Sequence, residues 1–220
     1  MLFRLRTSTT KGTAVRDYSI EGFLTALADR VPAPGGGATA ALHAAQAAAL
    51  VAMVARYSDG PRYAEHAGAI ERIRDAADEL RENALTLAED DSAAFTSVTE
   101  AYRLPKATPA EAADRSAAIA AALRRAARPP AFVVGVAARV LDLAEDLLPI
   151  GNRNVVSDVA AAAEAARAAA TTARVNVEIN LVGIDDAQAR SELLAAAGLV
   201  DGLCDRADKV TNAVRAELAR

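Results

Sequence analysis

Residues 31–37, Val-Pro-Ala-Pro-Gly-Gly-Gly, and the alanine-rich run that follows them to Ala55 constrain this chain more than any other stretch. Two prolines hold the backbone extended, and three consecutive glycines then permit conformations closed to other residues. Between Ala38 and Ala55 only Thr39, His43 and Gln46 are not apolar. A helix apolar on nearly every side belongs inside a protein, and faces of alanine let neighbouring helices approach closely. The run predicts a buried central helix whose first N–H groups, freed by the glycine turn, stand open to a ligand.

At 220 residues the chain is long enough for one domain with a sizeable core. Aromatic residues make up 4%, there is no Trp, and alanine supplies much of the 52% apolar content, which favours close-packed helices over a sandwich or barrel. A formal charge of −4 argues against a nucleic-acid-binding surface. Cys204 is the single cysteine and forms no internal disulfide, in keeping with a reducing cytoplasm. His43 and His66 give no metal-ligand spacing. Residues 1–17 begin basic and Ser/Thr-bearing and are expected to form a flexible N-terminus, with residues 18–220 as a single helical domain. The Ala38–Ala55 run has too many polar interruptions and too much Ala for a membrane span.

Along the chain, Ser19 is placed to cap a first helix to about Arg30. The alanine helix stops near Tyr57-Ser58-Asp59-Gly60-Pro61. From about Arg62 to Leu104, Ile70, Ile73, Ala77, Leu80, Ala84, Leu87, Ala94, Val98 and Tyr102 form a heptad-like seam. At ~1.5 Å per residue such a helix spans roughly 60 Å, an overhang most easily buried by a partner chain. Thr108-Pro109-Ala110-Glu111 reads as a capping box opening a helix to about Arg128. Pro129-Pro130 breaks it, and a further helix reaches Leu148. Ala160–Ala173 is again an alanine helix. Residues 175–181 alternate like a strand, but no second strand candidate exists to pair with them, so they too are expected to be helical. Asp185 and Asp186 start a last amphipathic helix to the C-terminus.

Position 91 breaks the seam of the long helix with Asp91, whose one-turn neighbours Leu87, Ala88, Ala94 and Phe95 are apolar. Burial disfavours the charged form of a carboxylate and raises its pKa, the condition for an acid/base group near neutrality. A polar residue that sets helix register, or one that turns to solvent, occupies such a position equally well. Gly35-Gly36-Gly37-Ala38-Thr39-Ala40 fits a dinucleotide G-x-G-x-x-A only nominally, because no strand precedes it and no βαβ pattern follows. Thr39, His43 and Gln46 share one helix face and are expected to be a satisfied polar stripe inside the bundle. Gly151-Asn152-Arg153-Asn154 with Ser157-Asp158 is a turn dense in hydrogen-bonding groups, for which turn chemistry alone is a sufficient account.

Five motifs occur in order: PAPGGG before an alanine helix; Leu87-x-x-x-Asp91-x-x-Ala94-Phe95; Tyr102-Arg103-Leu104-Pro105-Lys106-x-Thr108; Gly151-Asn152-x-Asn154-x-x-Ser157-Asp158; and Asn176-Val177-x-Ile179-Asn180-Leu181. Together they resemble the cyclodeaminase/cyclohydrolase family of folate one-carbon enzymes, over about residues 18 to 215. Its members are the cyclodeaminase half of formiminotransferase-cyclodeaminase and stand-alone methenyltetrahydrofolate cyclohydrolases.

The resemblance implies an all-α bundle of long up-and-down helices that is dimeric, with a tetrahydrofolate derivative as substrate near the glycine turn. No cofactor is held permanently. It places the catalytic aspartate on Asp91. Gly35, Gly36 and Gly37 would form one wall of the pocket. Asn152, Asn154, Asp158, Asn176 and Asn180 would hold the pterin edge, and Arg103, Lys106 or Arg153 would meet the carboxylates of the glutamate tail. No metal is required. Ala38 stands where the family often has Ser, and His43 and Gln46 replace residues usually small or apolar. The expected protein is therefore a cytoplasmic, homodimeric enzyme of a small folate substrate, without nucleic-acid or membrane partners. Hydrolysis of the 5,10-methenyl bridge is favoured, with cyclodeamination of the formimino form as the alternative. A non-catalytic helical binding module is the rival, resting on Ala38, His43 and Gln46.

Overall fold

A computed structural model describes residues 14–219. The described residues form eight α-helices with three short 3-10 turns and no strand. The helices are α1 (Ile20–Ala28), α2 (Gly36–Arg56), α3 (Ala67–Arg103), α4 (Pro109–Ala126), α5 (Arg128–Leu147), α6 (Val156–Leu181), α7 (Ala187–Gly198) and α8 (Val200–Leu218).

α2 is the central helix, as its composition predicts. It buries twelve residues, nine of them alanines at most 6% exposed, and packs against α3, α5 and α6. α3 runs antiparallel to it, with the Arg56 guanidinium on Asp78 at one end and the Ala38 amide near Asp91 at the other. α6 is also antiparallel to α2, with Gly36 beside Asn176 and Tyr57 beside Asn152. α8 lies along α6 in antiparallel register through Arg153–Glu217, Thr211–Glu164, Arg167–Asp208 and Arg174–Asp201. On its other side Arg206 bridges Asp142 and Glu145 of α5.

Local chemistry accounts for most boundaries. The Ser19 hydroxyl accepts from the Gly22 amide at the start of α1, and α4 opens on the full Thr108–Glu111 capping box. Three expectations need correction. Pro129 and Pro130 sit in the first turn of α5, where a missing N–H breaks no hydrogen bond, so the preceding break falls at Ala127. The last helix is two, divided at Leu199, with Val200 buried at the bend. The long helix begins at Ala67, because Gly60 at φ 87° starts a 3-10 turn over Pro61–His66. Residues 156–181, by contrast, make one continuous helix.

The expected flexible N-terminus lies outside the described residues up to position 13. Residues 15–17 form a 3-10 turn in which Val15 is buried and Arg16 pairs with Glu89 of α3. The predicted polar stripe of α2 is not inside the bundle: Gln46 is exposed and His43 half-buried. α3, α5 and α6 cover three sides of α2 and leave this one uncovered, with Leu42, Leu50 and Met53 half-buried beside the polar pair. By length and composition α2 is apolar enough to cross a bilayer, but 61% of its most apolar stretch is buried in the bundle.

Candidate functional site

The glycine turn ends in Gly35, which caps α2 in extended conformation (φ −142°, ψ −155°) without offering a side chain to the first-turn amides. That leaves the amides of the first turn free to bind a group from elsewhere. Asp91 of α3 supplies one: its carboxylate accepts a hydrogen bond from the Ala38 backbone N–H. The approach is so close that a Cβ on Gly37 would lie 1.9 Å from Asp91 Oδ1. Burial pushes the carboxyl up to about 6 from an ordinary value of 3.8, and the Ala38 amide, which favours the anion, only partly offsets it. Asp91 is thus half ionised near pH 6 and sits at the positive end of the α2 dipole.

The third wall is α6. A Cβ on Gly36 would be 3.4 Å from Asn176 Nδ2. Asn176 donates from Nδ2 to the Thr172 carbonyl at 2.9 Å, and Asn180 donates to the Asn176 carbonyl at 2.8 Å and, at 3.5 Å, to the Ala126 carbonyl of α4. A carbonyl partner fixes which end of each amide faces it, so both Oδ1 acceptors remain available on this side of α6. Phe95, one turn beyond Asp91, is 49% exposed. The end of the bundle that gathers Gly36, Gly37, Asp91, Asn176 and Asn180 therefore stands open to solvent.

The remaining sequence candidates lie elsewhere. Arg103 and Lys106 are exposed at the far end of α3, roughly 18 Å along the helix from Asp91 at ~1.5 Å per residue. Asn152, Asn154 and Asp158 are at the opposite end of α2 and α6. Asn152 is fully engaged there: its N–H donates to the Ser58 hydroxyl at 2.8 Å, its Nδ2 donates to the Tyr57 carbonyl at 2.6 Å, and its Oδ1 accepts from the Asn154 amide. Ser58 is the one buried polar side chain among the described residues and also donates to the Val54 carbonyl. Within one chain Asn152 is thus a structural tie between α2 and the turn before α6. Arg153 is paired with Glu217. Asn154 is exposed and Asp158 half-buried in the first turn of α6.

Sequence reasoning missed one participant in the site and one structural partner at the far end of α2. One is the Ala38 backbone amide, which has no side-chain signature. The other is Ser58, hidden in an ordinary turn composition. A cavity of about 740 Å³ between α4, α5 and α7 is lined by Arg124, Arg125, Arg128, Phe132 and Leu193, but Asp91 is not in its wall. Among the described residues no three His, Cys, Asp or Glu side chains group as a metal site.

This arrangement can be set beside known proteins. A family model described as formiminotransferase-cyclodeaminase matches residues 19–198. Over 191 residues the chain is 38% identical to a methenyltetrahydrofolate cyclohydrolase of Methylorubrum extorquens, covering 83% of this chain and 92% of that protein. It is 33% identical over 171 residues to the formimidoyltransferase-cyclodeaminase of Mus musculus, covering 77% of this chain but only 32% of the mouse protein. A solved structure of formiminotetrahydrofolate cyclodeaminase from Thermotoga maritima matches the fold with a TM-score of 0.78 and 32% identity, covering 91% of this chain and 98% of that one. With the family model spanning most of the helical domain, the chain belongs to the formiminotransferase-cyclodeaminase family.

Proposed function

We propose that this protein hydrolyses 5,10-methenyltetrahydrofolate to 10-formyltetrahydrofolate, with Asp91 as the catalytic acid/base. The observation that carries the reading is the half-buried Asp91 carboxyl, raised to about 6 and held against Gly37 by the Ala38 amide. The relative from Methylorubrum extorquens, similar over nearly its whole length, is a methenyltetrahydrofolate cyclohydrolase.

In the proposed reaction the ionised Asp91 takes a proton from water as the water oxygen bonds to the cationic methenyl carbon. The resulting carbon carries N5, N10 and a hydroxyl. Its bond to N5 then breaks, N5 receives the proton from Asp91, and the hydroxyl loses its proton as the formyl C=O forms on N10. One proton is released overall. A group titrating near neutrality is suited to both transfers. The carboxylate also lies where it offsets the positive charge of the methenyl bridge in the ground state. Asn176 and Asn180 offer Oδ1 acceptors to N–H groups of the pterin. The chemistry needs neither a bound metal nor a permanent cofactor, the enzyme works in the cytoplasm, and it works as a homodimer.

Cyclodeamination of formiminotetrahydrofolate, forming the methenyl bridge and ammonia, is a second reading. It is favoured by the fold match to the Thermotoga maritima cyclodeaminase. The tetrahedral carbon then carries nitrogen in place of oxygen, and Asp91 protonates the departing ammonia. Following methenyl-folate absorbance with wild-type protein and Asp91→Asn tests both. Net loss of the methenyl form supports hydrolysis, and its appearance from the formimino form supports deamination. If the wild-type protein does neither, the enzyme reading fails.

A further inference from the structure

Three arginines meet where α4 ends and α5 begins. Arg124 and Arg125 are in the last turn of α4, and Arg128 is the first residue of α5. All three are exposed, and among the described residues none of them forms an ion pair. They line two adjoining hollows. The first, about 740 Å³ between α4, α5 and α7, has Phe132 and Leu193 in its wall. The second, about 470 Å³, shares Arg125, Arg128 and Phe132 and is bounded on its other side by Leu87, Asp90 and Ala94 of α3. Both volumes are in the range of small-molecule sites.

Helix-end electrostatics accounts for two of these charges but not for the third. Arg124 and Arg125 complement the negative end of the α4 dipole. Arg128 stands at the positive end of α5, where a cation is disfavoured, and it has no carboxylate partner to offset the cost. Its guanidinium is held instead 5.9 Å from the centre of the Phe132 ring, which is itself 55% exposed. Pro129 and Pro130 follow it and have no N–H, so an anion arriving here meets guanidinium groups rather than helix amides. The acids of the lining are Asp90 and Glu192, the latter accepting from Gln188 Nε2 at 3.1 Å. The three arginines outnumber them, in a chain whose net charge is −4.

We propose that the α4–α5 corner binds an aromatic ligand carrying two or more anionic groups. The carboxylates or phosphates of the ligand pair with Arg124, Arg125 and Arg128, whose planar forks hold either oxyanion through two parallel N–H donors. Its ring stacks against Phe132 and Arg128. A nucleoside triphosphate meets this description, and so does a p-aminobenzoyl group bearing a chain of γ-linked glutamates. The groove is separate from the Asp91 site but adjoins it. Leu87, Asp90 and Ala94 flank Asp91 on α3, and Asn180 Nδ2 reaches the Ala126 carbonyl, next to Arg125, at 3.5 Å. Only the glutamate source rests on the enzyme reading; the anion site itself does not.

Calorimetric titration of the wild-type protein with ATP and, separately, with p-aminobenzoyl-tetra-γ-glutamate tests the groove. At least one probe should bind with a dissociation constant of about 100 µM or below. Arg125→Ala and Arg128→Ala should each weaken that binding by ~10-fold or more. Arg139→Ala, also exposed and roughly 16 Å along α5 from Arg128, should leave it unchanged. These side chains are all on the surface, and circular-dichroism melts check that each variant folds. Tighter binding of ATP, with no rise in KM for a monoglutamyl methenyl-folate, assigns the groove to a separate effector. Tighter binding of the glutamate probe, with competitive inhibition of turnover, assigns it to the tail of the substrate. Binding of neither probe at ~1 mM, or binding that all three arginine variants retain or lose alike, overturns the proposal. A wild-type protein inactive on folates that still binds ATP through Arg128 would sink the enzyme reading and leave the groove standing. An active enzyme that binds neither probe would sink the groove alone.

Discussion

A methyl group on Gly37 would lie 1.9 Å from Oδ1 of Asp91, so any side chain at position 37 takes the space this carboxylate occupies. Gly37→Ala should therefore move Asp91 off the Ala38 amide while α2 stays helical. A displacement of this size at a reacting group is expected to lower kcat/KM by ~10²-fold. At Gly36 the added methyl would be 3.4 Å from Asn176 Nδ2, an ordinary contact, and at Gly35 nothing lies within 4 Å. The three alanine variants should fall in that order of severity when kcat/KM is measured beside a circular-dichroism melt. Equal activity of all three would mean that Asp91 does not work from this position.

The raised carboxyl of Asp91 sets two pH dependences. Acting first as a base, it must be ionised, so kcat/KM should climb with pH and level off above an apparent pKa of about 6. Asp91→Asn should flatten that limb.

Stability should run the other way. The native pKa exceeds the ordinary 3.8, so the folded state holds the proton more tightly. The advantage is complete below the unfolded pKa and disappears as pH rises through the native one. Its size is about 3 kcal/mol at 1.36 kcal/mol per pKa unit. Urea midpoints at pH 4 and pH 7 should fall for the wild type and change less for Asp91→Asn, which should be the more stable protein at pH 7.

Ser58 is buried and serves both the Val54 carbonyl and the Asn152 amide. Ser58→Ala leaves the Asn152 N–H without its partner, at a cost of about 1 to 3 kcal/mol. For a chain of this length that lowers Tm by roughly 2 to 4 °C per kcal/mol. Calorimetry checks it, and an unchanged Tm would mean that water replaces the hydroxyl.

Ala48 is fully buried in α2. Ala48→Leu adds three carbons to a space already filled and should cost about 1 to 3 kcal/mol by overpacking. Chemical denaturation measures this, and a stability at or above wild type would reveal a void beside α2.

Most of the fold was legible because its signals are local. Ser19, Thr108 and Glu111 announce helix starts, and the spacing of Ile70, Ile73, Ala77, Leu80 and Ala84 gives the buried side of α3. Pro129 was misleading because a proline reads alike at the end of one helix and in the first turn of the next. The division at Leu199 left no signal, since helix-forming residues stand on both sides of it. Asp91 stood out as a break in a seam, but its partner did not, because a backbone amide is the same at every position. That Asn152 lies near Tyr57 rather than Asp91 depends on the direction of α6, which residue spacing along the chain does not encode.

The alanines of α2 also set a distance. Helix axes approach to about 8 Å where small residues meet, against about 10 Å where large ones do. The Asp side chain has a single methylene, so its carboxylate reaches the start of α2 only from a helix lying that near. A wider bundle would need the longer Glu there, with one more rotatable bond and a less fixed aim. The reach of the acid and the narrowness of the core are thus coupled: exchanges of alanine for larger residues many turns from Asp91 would alter catalysis through helix separation alone.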